Sequence, residues 1–305
     1  MCYAGRAMDR IDYRNRYTGE IEREKVVGER AMRFIYGTTT GQLALHLLIK
    51  RSIVSQFMGW QKNQPESCRG LRAFVEEYGI DMSEAERPDT ADYIHFNDFF
   101  TRKLKAGARP VCSGQTVALP ADGRHSAWQD AAAIDRVFIK GQSFDLPALL
   151  GNAELAEKYA HGAVVLSRLC PVDYHRYHFV AAGIPEKARR IPGPLASVSP
   201  YCLRRRLSWL WTNKRELTVL HTEALGDVLS LAVGATGVGA ICQTYAAGKP
   251  VEKGEEQGYF AFGGSTVMTF FEPGRVQIAQ DLLRNTAEGY ETYARQGDIL
   301  GNILP

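Results

Sequence analysis

Residues 259–274 read YFAFGGSTVMTFFEPG. A strand-like apolar run stops at Gly263-Gly264-Ser265-Thr266 and resumes at once with Val267, Met268, Phe270 and Phe271. A turn explains the glycines but not the immediate return of hydrophobic sequence. The stretch reads as two strands joined by a glycine link with a serine at its exit. The same texture runs outward on both sides. From about residue 115 onward, short alternating runs follow one another: RVFIKG, HGAVVLSRL, ELTVLHTEA, DVLSLAVGATGVGAI and RVQIA, punctuated by glycine and proline. This pattern predicts a mainly antiparallel β barrel or sandwich. A faint repeat, Gly-acid-x-x-Gly, recurs in KGEEQGYF (253–260) and QGDILGNI (296–303), which fits a core of similar hairpins.

The first hundred residues read differently. GLRAFVEEYGIDMSEAERP is an amphipathic helix ending near Gly79, and ERAMRFIYG places Met32, Phe34 and Ile35 near one helical face. GQLALHLLIKRSIVSQFMGW (41–60) is apolar nearly all round, broken by His46, Lys50, Arg51, Ser52 and Gln56. It fits a buried helix pair or an element lying in a membrane interface. The predicted class is therefore α+β: an N-terminal helical region over 1–100, then a β-rich domain with short helices over 101–305.

With 45% hydrophobic residues in 305, the chain can bury a full core in one large or two modest domains. A net charge of +3 is far from the footprint of a nucleic-acid binder but suits an anionic surface. The six cysteines contain no CxxC pair, which points to buried thiols in a reducing compartment. The N-terminal MCYAGRAMDRIDYRNRYTGEIEREK is charged throughout and reads as no secretory signal. No stretch reaches the roughly 18 apolar residues of a spanning helix.

Three places hold candidate chemistry. Pro120-Ala121-Asp122-Gly123 is a turn that can present Asp122 at a strand end, although most turn aspartates do no more than shape the turn. CPVDYHRYHFV carries His175 and His178, which share a face on a helix or turn and point oppositely on a straight strand. No third ligand at zinc-like spacing accompanies them, so no metal is expected. The third is Gly264-Ser265. An acid, a histidine and a serine far apart in sequence can act as orienting group, base and nucleophile. Here the serine lies between two strands without the strand–turn–helix elbow of hydrolases, so the nearest carbonyl is that of Gly264. Attack on it, with His178 as base, would exchange the amide for an ester. Elimination would then cut the chain and leave dehydroalanine, which hydrolyses to a pyruvoyl group and ammonia.

FNDFFTRKL, PADG, IKGQSFDLPALLG, CPVDYHRYHFVAAG, GPLASVSP, TNKRELTVLHTEALGDVLSLAVGATGVGAI, KGEEQGYFAFGGSTVMTFFEPGRV and GDILGNI, in this order over residues 95–303, resemble the phosphatidylserine decarboxylases. RNRYTGEIEREKVVGERAMRFIYG resembles that family's longer bacterial branch. Many members carry Leu-Gly-Ser-Thr at the processing site; here Gly263 replaces the leucine and the Gly264–Ser265 pair is intact. The resemblance implies that Ser265 becomes the pyruvoyl cofactor, with Asp122 and His178 as processing partners and His175 as an acid/base group in decarboxylation. It implies a β chain ending at 264 and an α chain of 265–305. It also implies a Schiff base with phosphatidylserine in the bilayer, release of CO2 and phosphatidylethanolamine, and a peripheral location on the cytoplasmic face of the cell membrane. Phe260, Phe262, Phe270 and Phe271 are candidates for an apolar wall. A lipid substrate favours the interfacial reading of 41–60, and exposed strand edges fit a homodimer. Three alternatives stay open: the same chemistry on another amine acid, a conventional serine hydrolase, and a non-enzymatic lipid-binding barrel.

Overall fold

The computed structural model describes residues 11–27, 59–136, 145–194, 208–234, 241–261 and 265–305. The two strands read from the opening stretch are β12 (Glu256–Phe260) and β13 (Ser265–Phe270). All six residues of β13 are buried. The reason is its position, since it lies between β5 (Val164–Leu169) and β10 (Gly226–Val233), antiparallel to both, with Ser265 opposite Leu169. A strand buried on both faces needs apolar and β-branched residues throughout, which is what STVMTF supplies.

These strands belong to a ten-stranded sheet. It runs from β2 (Ile21–Arg23) and β1 (Asp12–Asn15) through β15 (Glu291–Ala294), β4 (Gly123–Trp128), β5, β13 and β10 to β9 (Arg215–Thr222) and β7 (Ile184–Pro185). β8 (Arg189–Ile191) also pairs with β9. Two three-stranded sheets accompany it: β11 (Ile241–Gln243), β12 and β6 (Arg176–His178); and β14 (Val276–Ile278), β16 (Ile299–Ile303) and β3 (Thr116–Ala118). The large sheet buries both faces. On β5, Val164 and Leu166 join a core cluster with Tyr177, Ile241 and Phe260, whereas Val165 between them joins a second cluster with Val117, Val276 and Leu300. That alternation is the two-residue period of a strand.

Two expectations are corrected. The α+β class holds, with antiparallel pairing dominant, but among the described residues the sheets remain open paths and none closes into a barrel. The first hundred residues are not simply helical. DYRN and IER form β1 and β2, and β1 pairs in parallel with β15. Polar strands of three and four residues are stabilised by partners distant in sequence rather than by local pattern. Residues 28–58, with most of the proposed interfacial segment, lie outside the described residues, as do 137–144 with most of RVFIKG.

The described helices are short. Helix α1 (Leu71–Tyr78) ends at Gly79, whose φ of 65° closes the last turn and whose N–H bonds to Glu76 and Val75 carbonyls. It packs on α2 (Phe96–Phe100), which is capped by the His95 side chain and buries Phe96, Phe99 and Phe100 on one side. The Gly-acid repeat is also visible. Gly254 and Gly297 both take positive φ immediately before β12 and β16, and a Cβ on either would strike the Pro110–Val111 segment.

Candidate active site

Ser265 opens β13 and is fully buried, with 0% exposure. Its hydroxyl lies 3.2 Å from Nδ1 of His175. The other ring nitrogen, Nε2, is 2.7 Å from the Cys170 carbonyl and must donate to it. That bond fixes the tautomer: Nδ1 carries the lone pair, and it faces the serine O–H. Burial pushes the His175 imidazole down to about 3, so the ring is neutral near pH 7. Phe100 stacks on it, with ring centroids 3.8 Å apart.

The local chain explains this placement. After β5 the Asp173 carboxylate accepts from the Cys170 N–H at 2.7 Å, and the Asp173 N–H bonds back to the Cys170 carbonyl. The resulting turn reverses the chain and delivers His175. Its own carbonyl accepts from Phe260 N–H at the end of β12, so the histidine is held between the turn and the strand that leads towards Ser265. Asp173 is itself clamped by Arg124 at 2.5 Å.

His178 sits three residues on, at the end of β6, and makes no hydrogen bond to Ser265 among the described residues. Its backbone N–H donates to the Pro120 carbonyl, which joins it to the PADG turn. Tyr174 lies alongside its ring, Nδ1 is buried without a partner among the described residues, and burial pushes the imidazole down to about 4. Asp122 is held by Arg109 through contacts of 2.7–3.0 Å and by the Gln296 N–H at 2.8 Å. Gly123 beside it has no room for a Cβ, because the Arg168 carbonyl occupies that space. The four sequence-predicted side chains thus form two pairs, His175 with Ser265 and His178 near the Asp122 turn. Gly264 lies outside the described residues, as does Phe262. Phe260, Phe270 and Phe271 are fully buried in the core clusters.

Several residues at the site were not singled out from sequence. Phe100, Arg102 and Arg109 all come from the FNDFFTRKLKAGARP segment. The only local sign was the spacing of Phe96, Phe99 and Phe100 on one helical face. A cavity of about 300 Å³ adjoins this region, lined by Arg102, Arg109, Asp122, Arg124, Asp173 and Tyr174 among others. Among the described residues no group of three His, Cys, Asp or Glu side chains could hold a metal ion, and no helix is long and apolar enough to cross a membrane.

The fold and site describe an α+β enzyme core with a buried serine–histidine contact. The sequence profile of phosphatidylserine decarboxylases matches residues 96–297. A phosphatidylserine decarboxylase proenzyme of Fusobacterium nucleatum is 44% identical over 96% of this chain and 98% of its own length. Proteins of the same name from Chlamydia trachomatis and Desulfitobacterium hafniense are 41% and 40% identical, each over 95% of the chain. The chain belongs to the phosphatidylserine decarboxylase family.

Proposed function

We propose that this chain is a self-processing decarboxylase that converts phosphatidylserine to phosphatidylethanolamine and CO2 with a pyruvoyl group made from Ser265. The observation that carries the reading is the burial of Ser265 beside a neutral histidine. In the uncut chain the Ser265 hydroxyl is buried beside His175, and the Gly264 carbonyl is the acyl group covalently next to it. The name proenzyme, carried by the relatives, agrees with a chain that must be cut.

In the processing step the Ser265 Oγ loses its proton and bonds to the Gly264 carbonyl carbon. The Gly264–Ser265 C–N bond breaks and an ester forms. Loss of the Ser265 Cα proton expels the ester oxygen, leaving a Gly264 carboxylate and dehydroalanine, and water releases ammonia to give the ketone. Asp122 and His178 are the proposed processing pair, supported by their proximity through Pro120 and by the unpartnered, neutral His178 Nδ1. His175 is the proposed acid/base group of decarboxylation, supported by its contact with residue 265 and by the free lone pair on Nδ1, which can take up and return a proton. The 3.2 Å contact also favours a second reading, in which His175 takes the serine proton during processing.

The residues fit the pyruvoyl group, since it is built from the backbone and side-chain carbons of residue 265 and needs no further space. A pyruvoyl group at residue 265 would supply an electrophilic ketone for the substrate amine and an electron sink for the pair released as CO2 leaves. The chain's own part is to bury that site, stack Phe100 on His175 and exclude water. The fragments 1–264 and 265–305 would stay joined, because β13 and β15 are interior strands of the large sheet and Arg168 bridges to Glu291 at 2.6 Å.

The proposed membrane-docking part lies within residues 1–100, which also lend β1, β2 and Phe100 to the catalytic core of 101–305, with the enzyme peripheral on the cytoplasmic face. A homodimer would add at an edge strand, β2 or β7. Intact-mass measurement tests the proposal. Two fragments are expected, the smaller without a free amino terminus, and Ser265→Ala should remain one inactive chain. A single uncut species with full decarboxylase activity would refute it.

A further inference from the structure

Four arginines line the cavity beside the site: Arg102, Arg109, Arg124 and Arg295. Three of them are neutralised. Arg109 holds Asp122 and Glu84, Arg124 holds Asp173, and Arg295 reaches Glu84 at 3.1 Å. Arg102 makes no salt bridge among the described residues. It is 5% exposed, and its Nε and Nη1 donors are buried without an acceptor among the described residues. Its Nη2 makes only long contacts, 3.3 and 3.4 Å, to the carbonyls of Val172 and Asp173, and the guanidinium rests over the Phe99 ring at 4.8 Å.

A buried cation without an anion is costly and is tolerated where something else completes it. Arg102 also lies close to the reacting centre. It follows Phe100, which stacks on His175, by two residues, and its charge is among the influences that keep His175 unprotonated. A planar fork with two free donors suits a two-oxygen anion.

Resting on the decarboxylase reading above, we propose that Arg102 is the anchor for the phosphodiester of the lipid headgroup, entering through this cavity. The substrate offers two monoanions, a carboxylate and a phosphodiester. The carboxylate loses its charge in the reaction, so a guanidinium fastened to it would stabilise the ground state against decarboxylation. The phosphodiester keeps its charge from substrate to product and can be held throughout.

The test uses the full chain with soluble headgroups: glycerophosphoserine, glycerophosphoethanolamine, free serine and inorganic phosphate, followed by calorimetry and thermal shift. The processed wild type should bind both glycerophosphodiesters and bind serine far more weakly. Arg102→Met should lose about ten- to a hundredfold in affinity for both, the loss appearing in KM more than in kcat. Its melting temperature without ligand should fall little, because Nε and Nη1 had no acceptor among the described residues and Nη2 made only long contacts. Arg102→Lys, which keeps the charge but not the fork, should recover part of the affinity, and it serves as the second variant if the methionine chain fails to fold. Unchanged affinity for glycerophosphoethanolamine in either folded variant would overturn the assignment. So would binding of glycerophosphoserine without glycerophosphoethanolamine, since that would place the carboxylate on Arg102. Intact mass of the same samples reads self-cleavage separately. An uncut wild type would sink the processing reading, while the binding comparison would still decide on Arg102.

Discussion

Replacing the two histidines separately should split one activity into two. In His175→Asn the amide keeps a polar group near residue 265 but removes the imidazole stacked on Phe100. The variant should cut itself and then decarboxylate slowly, with kcat/KM down by about 10²–10⁴, the range for loss of a positioned acid/base group. His178→Asn should remain a single chain. The pH profile supplies a second magnitude. With its pKa at about 3, the His175 ring is neutral by about a hundred to one at pH 5. An ordinary imidazole at about 6.5 would be protonated by about thirty to one there. Decarboxylation by the processed enzyme should therefore show no loss attributable to His175 between pH 7 and 5. The assay pairs intact mass for cutting with CO2 release from phosphatidylserine in detergent micelles. An uncut His175→Asn chain would transfer the processing role to the residue that touches Ser265. A normally processed and fully active His175→Asn enzyme would defeat the reasoning altogether.

Acid should weaken the fold in a defined window. His125, His175 and His178 are all suppressed by burial, to about 3, 3 and 4. The unfolded chain therefore binds more protons as pH falls below about 6.5, and stability drops from there through the folded values. Urea midpoints of Ser265→Ala taken against pH should show this slope, and adding His125→Asn should flatten it by about one proton. Glu24 is the second case. Burial alone would raise its carboxyl, but Arg168 and Arg124 overcome that and hold it at about 2. Its stabilisation is present above about 4.3 and is lost as pH falls towards 2. Glu24→Gln should cost about 3 kcal/mol near neutral pH in denaturant unfolding, the lower end for breaking a buried pair, because Arg168 retains Glu291.

The apolar strands from residue 115 onward were legible where a run carries its own alternation and punctuation, as in HGAVVLSRL for β5 and ELTVLHTEA for β9, but the polar β4 (GRHSAW), β6 (RYH) and β15 (ETYA) were not. Helix α1 was legible down to its glycine stop. β1 and β2 were not, since DYRN and IER are polar and become strands only through β15, nearly the whole chain away. Whether the sheets close was also illegible, because closure depends on which edges meet and not on any strand's composition. At the site, Asp122, His175, His178 and Ser265 could be named from chemistry and resemblance. Their grouping into two pairs could not, because it depends on the Cys170–Asp173 turn. Arg102 and Phe100 escaped notice for a plainer reason: one arginine and one phenylalanine in a helical segment look like surface charge and core.

The interior position of β13 has a consequence for the working life of such an enzyme. A dissociable cofactor can be exchanged when it is damaged. If residue 265 becomes the proposed ketone, it would be the first residue of a strand flanked by β5 and β10, held in the sheet by its own backbone and without a replacement. Each molecule would then be armed once, and a spent or reduced ketone would retire the whole polypeptide with it.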